Sequence, residues 1–263
     1  MRHTDSPVKY AKLAHPRLFD ALPRLRLFAH LKSLREQHGV IWIASPPGAG
    51  KTTLAASYLA AHAPDSVWYQ IDEGDADPAG FFFYLAESVN GSRTGLPWLA
   101  PELSADIPRF ARLFFREYFA RLPAGAVLVF DNIQEFDWDG AGQLLEIAFS
   151  EVPEGITILA LSREAPPARL ARLELSGRIA TLGWNDMRLD SGEAVALAQL
   201  DPAAQANGQA WLERIDGWAA GIVMLRELSV NYLYDASYRT DFHSRSGGSA
   251  SIGQSSRPPA GWQ

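Results

Sequence analysis

The stretch Ser45-Pro-Pro-Gly-Ala-Gly-Lys-Thr-Thr53 has the residue types and the spacing of a loop that binds phosphate groups. Backbone N–H groups of a glycine-containing turn can converge on an anion, and the N-terminus of a following helix adds unpaired donors and partial positive charge. In such a loop Lys51 reaches the β- and γ-phosphates, Thr52 ligates Mg²⁺ and Thr53 approaches the α-phosphate. The predicted nucleotide-binding residues are therefore Pro47, Gly48, Ala49, Gly50, Lys51, Thr52 and Thr53.

The loop departs from the usual pattern GxxxxGK[ST] at its first position, where Ser45 replaces glycine. Pro46 and Pro47 compensate in part, because each proline fixes its own φ and stiffens the turn. The apolar run at 40–44 is typical of a buried strand, and the segment after Lys51 is rich in alanine and leucine, which favours a helix. The alternative is an ordinary turn between a strand and a helix, and the intact context favours the phosphate loop.

An acid and a cation are predicted at the same edge of the sheet as this loop. Asp131 ends an apolar strand, where a magnesium-holding carboxylate belongs in a phosphate-loop NTPase. Arg163 follows another apolar strand and is suited to contact a γ-phosphate, whereas a surface ion pair with Glu164 is the alternative. We therefore predict a metal site formed by Thr52 and Asp131, with Arg163 as a sensor of the γ-phosphate.

The position after Asp131 is Asn132 rather than a second acid. An amide can accept a hydrogen bond from an attacking water but cannot take its proton, although Glu135 could substitute as the base. We therefore predict firm nucleotide binding beside slow or negligible hydrolysis, which makes the chain at most a slow ATPase.

The remaining pattern predicts four segments. These are an N-terminal segment with a helix (1–39), a phosphate-loop NTPase domain (40–190), a small helical subdomain (191–230) and a disordered tail (231–263). The N-terminal segment enters just ahead of the first strand, where it could lie over a bound adenine or form a plain surface helix. Asp72, Glu73 and Asp75 end the second strand, and we interpret them as solvated loop acids rather than catalytic groups. The small residues of 217–221 would allow two helices, or a helix and a nucleotide, to approach closely.

Composition excludes several classes of function. The chain has 263 residues, a formal net charge of −6 and no cysteine. Scattered Lys and Arg in an acidic chain argue against a nucleic-acid surface, and the absence of cysteine excludes disulfides, thiolate zinc sites and thiol catalysis. No apolar run approaches the ~20 residues of a membrane span. We expect a cytoplasmic protein with no membrane contact and no direct nucleic-acid binding by this chain.

Taken in order, these features resemble the nucleotide-binding domain of MalT-like regulators, the STAND class of signalling ATPases attached to LuxR-type transcription factors. The resemblance covers about residues 9–229. It rests on Lys12-Leu-Ala-His-Pro-Arg-Leu18, Ser45–Thr53, Trp68-Tyr-Gln-Ile-Asp-Glu-Gly-Asp-Ala-Asp-Pro78, Val129-Phe-Asp-Asn-Ile-Gln134, Leu161-Ser-Arg163, Pro166-Pro167, Leu170-Ala-Arg-Leu173 and Gly217-Trp-Ala-Ala-Gly221. It implies an α/β fold of the ASCE/STAND type, with a five-stranded parallel sheet followed by a small helical subdomain. The extra strand is expected between those that carry Lys51 and Asp131.

The resemblance also implies a switch that binds ATP or ADP with Mg²⁺. The ADP form is expected to be closed, and ATP with an inducer is expected to open it for self-association or for contacts within a longer regulator. Such regulators continue into a winged helix, a helical-repeat sensor and a DNA-binding domain, so we interpret this chain as a shortened form. Two alternatives remain open, namely a small phosphate-loop kinase and a nonfunctional remnant.

Overall fold

The structure is a computed structural model that describes residues 10–63, 65–89, 95–99, 106–199, 212 and 214–228. The tail predicted at 231–263 and part of the helical subdomain predicted at 191–230 therefore lie outside the described residues. Among the helices that the structure describes, none combines the length and the apolar character that a membrane span needs.

Five parallel strands form one sheet in the order β2-β3-β4-β1-β5. Their bounds are β1 Val40–Ala44, β2 Ser66–Gln70, β3 Val127–Asp131, β4 Thr157–Ser162 and β5 Ile179–Leu182. Strand β4 lies between β1, which leads into Lys51, and β3, which ends at Asp131, so the predicted insertion of an extra strand is confirmed. Strands β3 and β4 are buried along their whole length, which explains their unbroken apolar runs.

Helices cover both faces of this sheet. The helices that the structure describes include α1 Leu25–Arg35, α2 Lys51–His62, α3 Pro78–Ser88, α4 Ile107–Phe119, α5 Gly142–Glu151, α6 Ala171–Leu175, α7 Trp184–Met187, α8 Ser191–Ala198 and α9, residues 219–228, of which α8 and α9 pack away from the sheet. The pair Asp77-Pro78 predicts a helix start, which is confirmed, because the Asp77 carboxylate accepts from the N–H groups of Ala79 and Gly80 and Pro78 is the first residue of α3. The residue type of Ser191 predicts that it caps α8, and this prediction is wrong by one residue, because Asp190 caps the helix in a reciprocal pair with Glu193.

The apolar side chains form three clusters. One lies between the sheet and α3, α4 and α5, and a second lies between the opposite face and α1, α2 and α7. Alternate residues of β1 belong to alternate clusters, with Val40 and Trp42 in the first and Ile41 and Ile43 in the second, as the two-residue period of a strand requires. A third, smaller cluster joins α8 to α9 around Ala198. The sheet is thus held from both sides, which fixes the loops at its carboxyl edge.

The N-terminal segment packs along the edge strand β2. The Lys12 ammonium donates to the Asp75 carboxylate at 2.8 Å, and the Tyr69 hydroxyl donates to the same oxygen at 2.6 Å. Strands β3 and β4 separate β2 from β1, so residues 11–15 do not lie next to the phosphate loop.

The prediction that Asp75 is a solvated loop acid is wrong. Asp75 is only 1% exposed. The pKa of the Tyr69 hydroxyl is raised, mainly by burial and next by the neighbouring Asp75 carboxylate. Tyr69 therefore remains a hydrogen-bond donor to Asp75, and Asp72 and Asp75 anchor the N-terminal segment through Lys12.

Candidate nucleotide site

The predicted phosphate loop connects β1 to α2. Gly48 and Gly50 have φ values of 75° and 88°, which place both in the left-handed region that favours glycine. The Ser45 N–H donates to the Ser162 carbonyl at 3.3 Å, so the loop begins against the end of β4. The first intrahelical bond of α2 runs from Leu54 to Gly50. The N–H groups of the preceding helical residues therefore have no intrahelical acceptor and are available to an anion.

The Lys51 side chain lies over its own loop. Its ammonium donates to the Ser45 carbonyl at 2.5 Å and to the Pro46 carbonyl at 3.2 Å. An ammonium has three donors, so one remains for a phosphate oxygen. Burial and then the charge of Arg163 lower the pKa of Lys51, while Asp131 opposes that shift. The negative charge of a polyphosphate placed here would favour the ammonium form of Lys51 and so counteract the effects of burial and of Arg163.

Thr52 and Asp131, the two residues predicted to hold a metal ion, are hydrogen-bonded to each other. The Thr52 hydroxyl donates to the two oxygens of the Asp131 carboxylate at 3.1 and 3.3 Å, and the Asn132 N–H donates to one of them at 3.0 Å. A hydroxyl and a carboxylate fit Mg²⁺, which takes one or two carboxylates and completes its shell with water and phosphate oxygens. Within the described ranges, no group of three or more His, Cys, Asp or Glu side chains is placed to hold a metal ion.

Burial raises the pKa of Asp131, against the hydrogen bonds from Thr52 and Asn132 and the charge of Lys51. A raised pKa in the folded protein means that the neutral carboxyl is favoured there. The neutral Asp131 carboxyl therefore contributes to the free energy of unfolding at pH values below its pKa in the unfolded chain. This contribution is lost as the pH rises through its pKa in the folded protein. At neutral pH the buried carboxylate therefore destabilises the nucleotide-free protein.

We expect Asp131→Asn to raise the melting temperature of the nucleotide-free protein at pH 7 by about 2–4 °C, as a gain of about 1 kcal/mol would. The same change should abolish the further rise that Mg-nucleotide produces, because the amide carries no charge for the metal. Scanning fluorimetry from pH 4 to pH 8 measures both effects, with the exposed Asp139→Asn as the matched control. A variant that melts below the wild type without nucleotide at pH 7 would contradict this account of Asp131.

The other predicted site residues lie on the loops after β3 and β4. Asn132 adopts a left-handed conformation with φ 60°, which asparagine tolerates better than most residues. Glu135 is exposed and accepts a hydrogen bond from the Gln134 amide at 3.2 Å. The Arg163 side chain is exposed, and its charge acts on Lys51. Across the described part of the chain, no ion pair joins Arg163 to Glu164, which was the alternative interpretation of this arginine.

A distant segment, residues 217–221, packs directly on the phosphate loop. The Trp218 indole N–H donates to the Pro47 carbonyl at 2.9 Å, and the Ala220 N–H donates to the Gly48 carbonyl at the same distance. A Cβ at Gly48 would lie 2.6 Å from the Ala220 Cβ, so glycine is required there for space as well as for conformation. The close approach predicted for the small residues of this segment is therefore made between a helix and the loop. We call residues 217–221 the Gly-Trp segment.

Arg24 links the Gly-Trp segment to the start of α1, and no sequence pattern predicts this role. Arg24 is buried and donates to the carbonyls of Met187 and Arg188 and to the Glu193 carboxylate, at 2.7–2.9 Å. The adjacent Leu189 N–H donates to the Gly217 carbonyl at 3.0 Å. The start of α1, the turn before α8 and the Gly-Trp segment are thus tied together beside the loop.

No family model matches this chain. Curated relatives do match it over most of its length. It is 27% identical over 224 residues to the HTH-type transcriptional regulator MalT of Yersinia enterocolitica, which covers 82% of this chain and 24% of that protein. It is 29% identical over 189 residues to the MalT regulator of Vibrio cholerae, which covers 70% of this chain and 21% of that protein. This chain is similar in sequence to the MalT regulators.

The resemblance to MalT-like regulators that the motifs indicated is therefore confirmed, and the chain spans about a quarter of the length of these relatives. Among solved structures, it matches Drosophila ORC bound to DNA at 12% identity, with 90% of this chain and 65% of that one covered and a TM-score of 0.44. It matches a DNA replication initiation factor at 15% identity, with 83% and 62% covered and a TM-score of 0.42. Likenesses at this level say nothing of function.

Proposed function

We propose that this chain is the ATP/ADP-binding regulatory module of a MalT-like transcriptional regulator of the LuxR family. The observation that carries the proposal is the convergence of Lys51, Thr52 and Asp131 at the carboxyl edge of the sheet. Ligands of open α/β sheets gather at this edge. In the proposed complex the residues of 47–53 hold the phosphates, while Thr52 and Asp131 hold Mg²⁺.

A switch suits these residues better than a turnover enzyme does. Asn132 cannot act as a base, and the carboxylate of Glu135 is exposed and bonded to Gln134. Arg163 is the group proposed to respond to the γ-phosphate. The nucleotide would then act by favouring one of two conformations, and slow hydrolysis by Glu135 would reset the switch.

The Gly-Trp segment supplies the element on which such a switch would act. Two hydrogen bonds tie it to carbonyls of the phosphate loop, so a change in the loop's shape alters the attachment of α9. A ligand shifts a conformational equilibrium only through different contacts with the two states. Attachment in the ADP form and release in the ATP form would expose a surface for self-association or for contacts within a longer regulator.

Hydrogen exchange tests this proposal directly. We expect the amides of residues 214–228 to exchange more slowly with Mg-ADP than with Mg-ATP, because the Ala220 N–H bond to Gly48 is expected to open in the ATP form. A parallel assay should show ATP turnover well below about 1 s⁻¹, so that ATP persists during the labelling. Equal exchange in the two nucleotides, or turnover at an ordinary enzymatic rate, would argue against a switch.

A further inference from the structure

The Gln134 side chain joins the loops that follow β3 and β4. Its amide oxygen accepts from the Arg163 backbone N–H at 3.1 Å, and its amide nitrogen donates to the Glu135 carboxylate at 3.2 Å. The paired residues of the β3–β4 ladder extend only to Phe130 and Ala160. Beyond that pair, the bond between the Gln134 side chain and the Arg163 backbone connects the ends of the two strands.

Local geometry brings Gln134 to this place. Asn132 reverses the chain in its left-handed conformation, and a short 3-10 turn at Ile133–Glu135 follows. Ile133 is fully buried and fixes the turn against the core, while the Gln134 side chain stays half-buried and reaches β4. The carboxylate of Asp131, at the start of the same loop, is held by Thr52. Gln134 thus connects the loop of the metal acid to the backbone that carries Arg163.

The position of Arg163 depends on this contact. Its guanidinium is exposed and, within the described residues, forms no ion pair, so the backbone decides where it can reach. Its charge already acts on Lys51 across the loop. A shift of the Arg163 backbone by about 1 Å is enough to spoil a contact whose heavy atoms must lie about 2.7–2.9 Å apart.

We propose that Gln134 is the positioning residue that holds Arg163 where it can distinguish a nucleoside triphosphate from a diphosphate. The inference rests on the proposed function and adds to it a role for Gln134, which lies outside the phosphate loop of residues 45–53. Gln134 acts on the γ-phosphate through Arg163, and it leaves the binding of the α- and β-phosphates to residues 47–53.

The test compares the ratio of the dissociation constants for Mg-ADP and Mg-ATP in four proteins. These are the wild type, Gln134→Met, which keeps the length of the side chain without its acceptor, Arg163→Ala, and the double variant. We expect Gln134→Met to shift the ratio against ATP about 5-fold, as the loss of one hydrogen bond of ~1 kcal/mol implies, with the ADP constant nearly unchanged. In the double variant the shift should equal that of Arg163→Ala alone, because Gln134 acts through Arg163.

Controls separate this role from a structural one. Gln143→Met, at an exposed position of α5, should leave the ratio at the wild-type value. If Gln134→Met melts well below the wild type, Gln134→Ser replaces it in the same cycle. An unchanged ratio in a folded variant overturns the inference, and so does a shift that adds fully to that of Arg163→Ala. A wild type that binds neither nucleotide overturns the proposed function and, with it, this inference.

Discussion

Lys51→Ala should weaken the binding of Mg-ADP and Mg-ATP at least ~100-fold. The ammonium uses two donors on the carbonyls of Ser45 and Pro46, and the third is left for phosphate. A hydrogen bond between charged groups contributes about 1.5–3 kcal/mol, and Lys51 also neutralises charge on the β- and γ-phosphates. A loss of ~2.7 kcal/mol already weakens binding ~100-fold.

Titration calorimetry measures this loss, and the shift in melting temperature with saturating Mg-ADP provides an independent measure. Lys32→Ala is the matched control, because Lys32 is an exposed lysine on α1 that lies outside the proposed site. Equal affinities for Lys51→Ala and Lys32→Ala would show that the phosphates are not bound at this loop.

Gly48→Ala should destabilise the protein by about 2–5 kcal/mol and detach the Gly-Trp segment. Alanine at φ 75° costs about 1–2 kcal/mol, and overpacking adds about 1–3 kcal/mol, since the new Cβ would lie 2.6 Å from the Ala220 Cβ. To relieve the contact, the segment must move away from the loop and give up the bond between Ala220 and Gly48. Urea unfolding measures the stability, and hydrogen exchange at 214–228 measures the detachment.

Gly177→Ala is the control for the conformational part of this effect. Gly177 has φ 72°, and a Cβ there would meet nothing within 4 Å. The Gly177→Ala substitution should therefore lower the free energy of unfolding by about 1–2 kcal/mol and leave hydrogen exchange at 214–228 unchanged. If the two variants lose the same stability and neither affects residues 214–228, the close packing of the Gly-Trp segment on the loop is not what requires glycine at position 48.

The elements that position the site could be predicted from local patterns. The strand before Ser45 and the helix after Gly50 follow from apolar runs and helix propensity, and parallel strands bring Asp131 and Arg163 to the loop's edge of the sheet. The place of β4 between β1 and β3 came from the resemblance to MalT-like regulators rather than from any local pattern. Local sequence patterns thus predicted the strands and helices at the site, and the family resemblance predicted the order of these strands in the sheet.

The remaining contacts could not be predicted because they join residues far apart in the chain. Trp218 and Pro47 are separated by 171 positions, and Arg24 and Arg188 by 164. Asp75 was misjudged for the same reason, since its partner Lys12 lies 63 positions earlier and no local pattern reveals the pairing. Gln134 ends one of the stretches that carry the family resemblance, but the sequence assigned it no role, and its contact with the Arg163 backbone is visible only in the structure.

The most direct test of the central claim is native mass spectrometry of the protein as purified, followed by identification of any released nucleotide. The account predicts one adenine nucleotide per wild-type chain, chiefly ADP, and none on Lys51→Ala. If the wild type carries no nucleotide and acquires none from millimolar Mg-ADP, the residues of 45–53 do not form a nucleotide site.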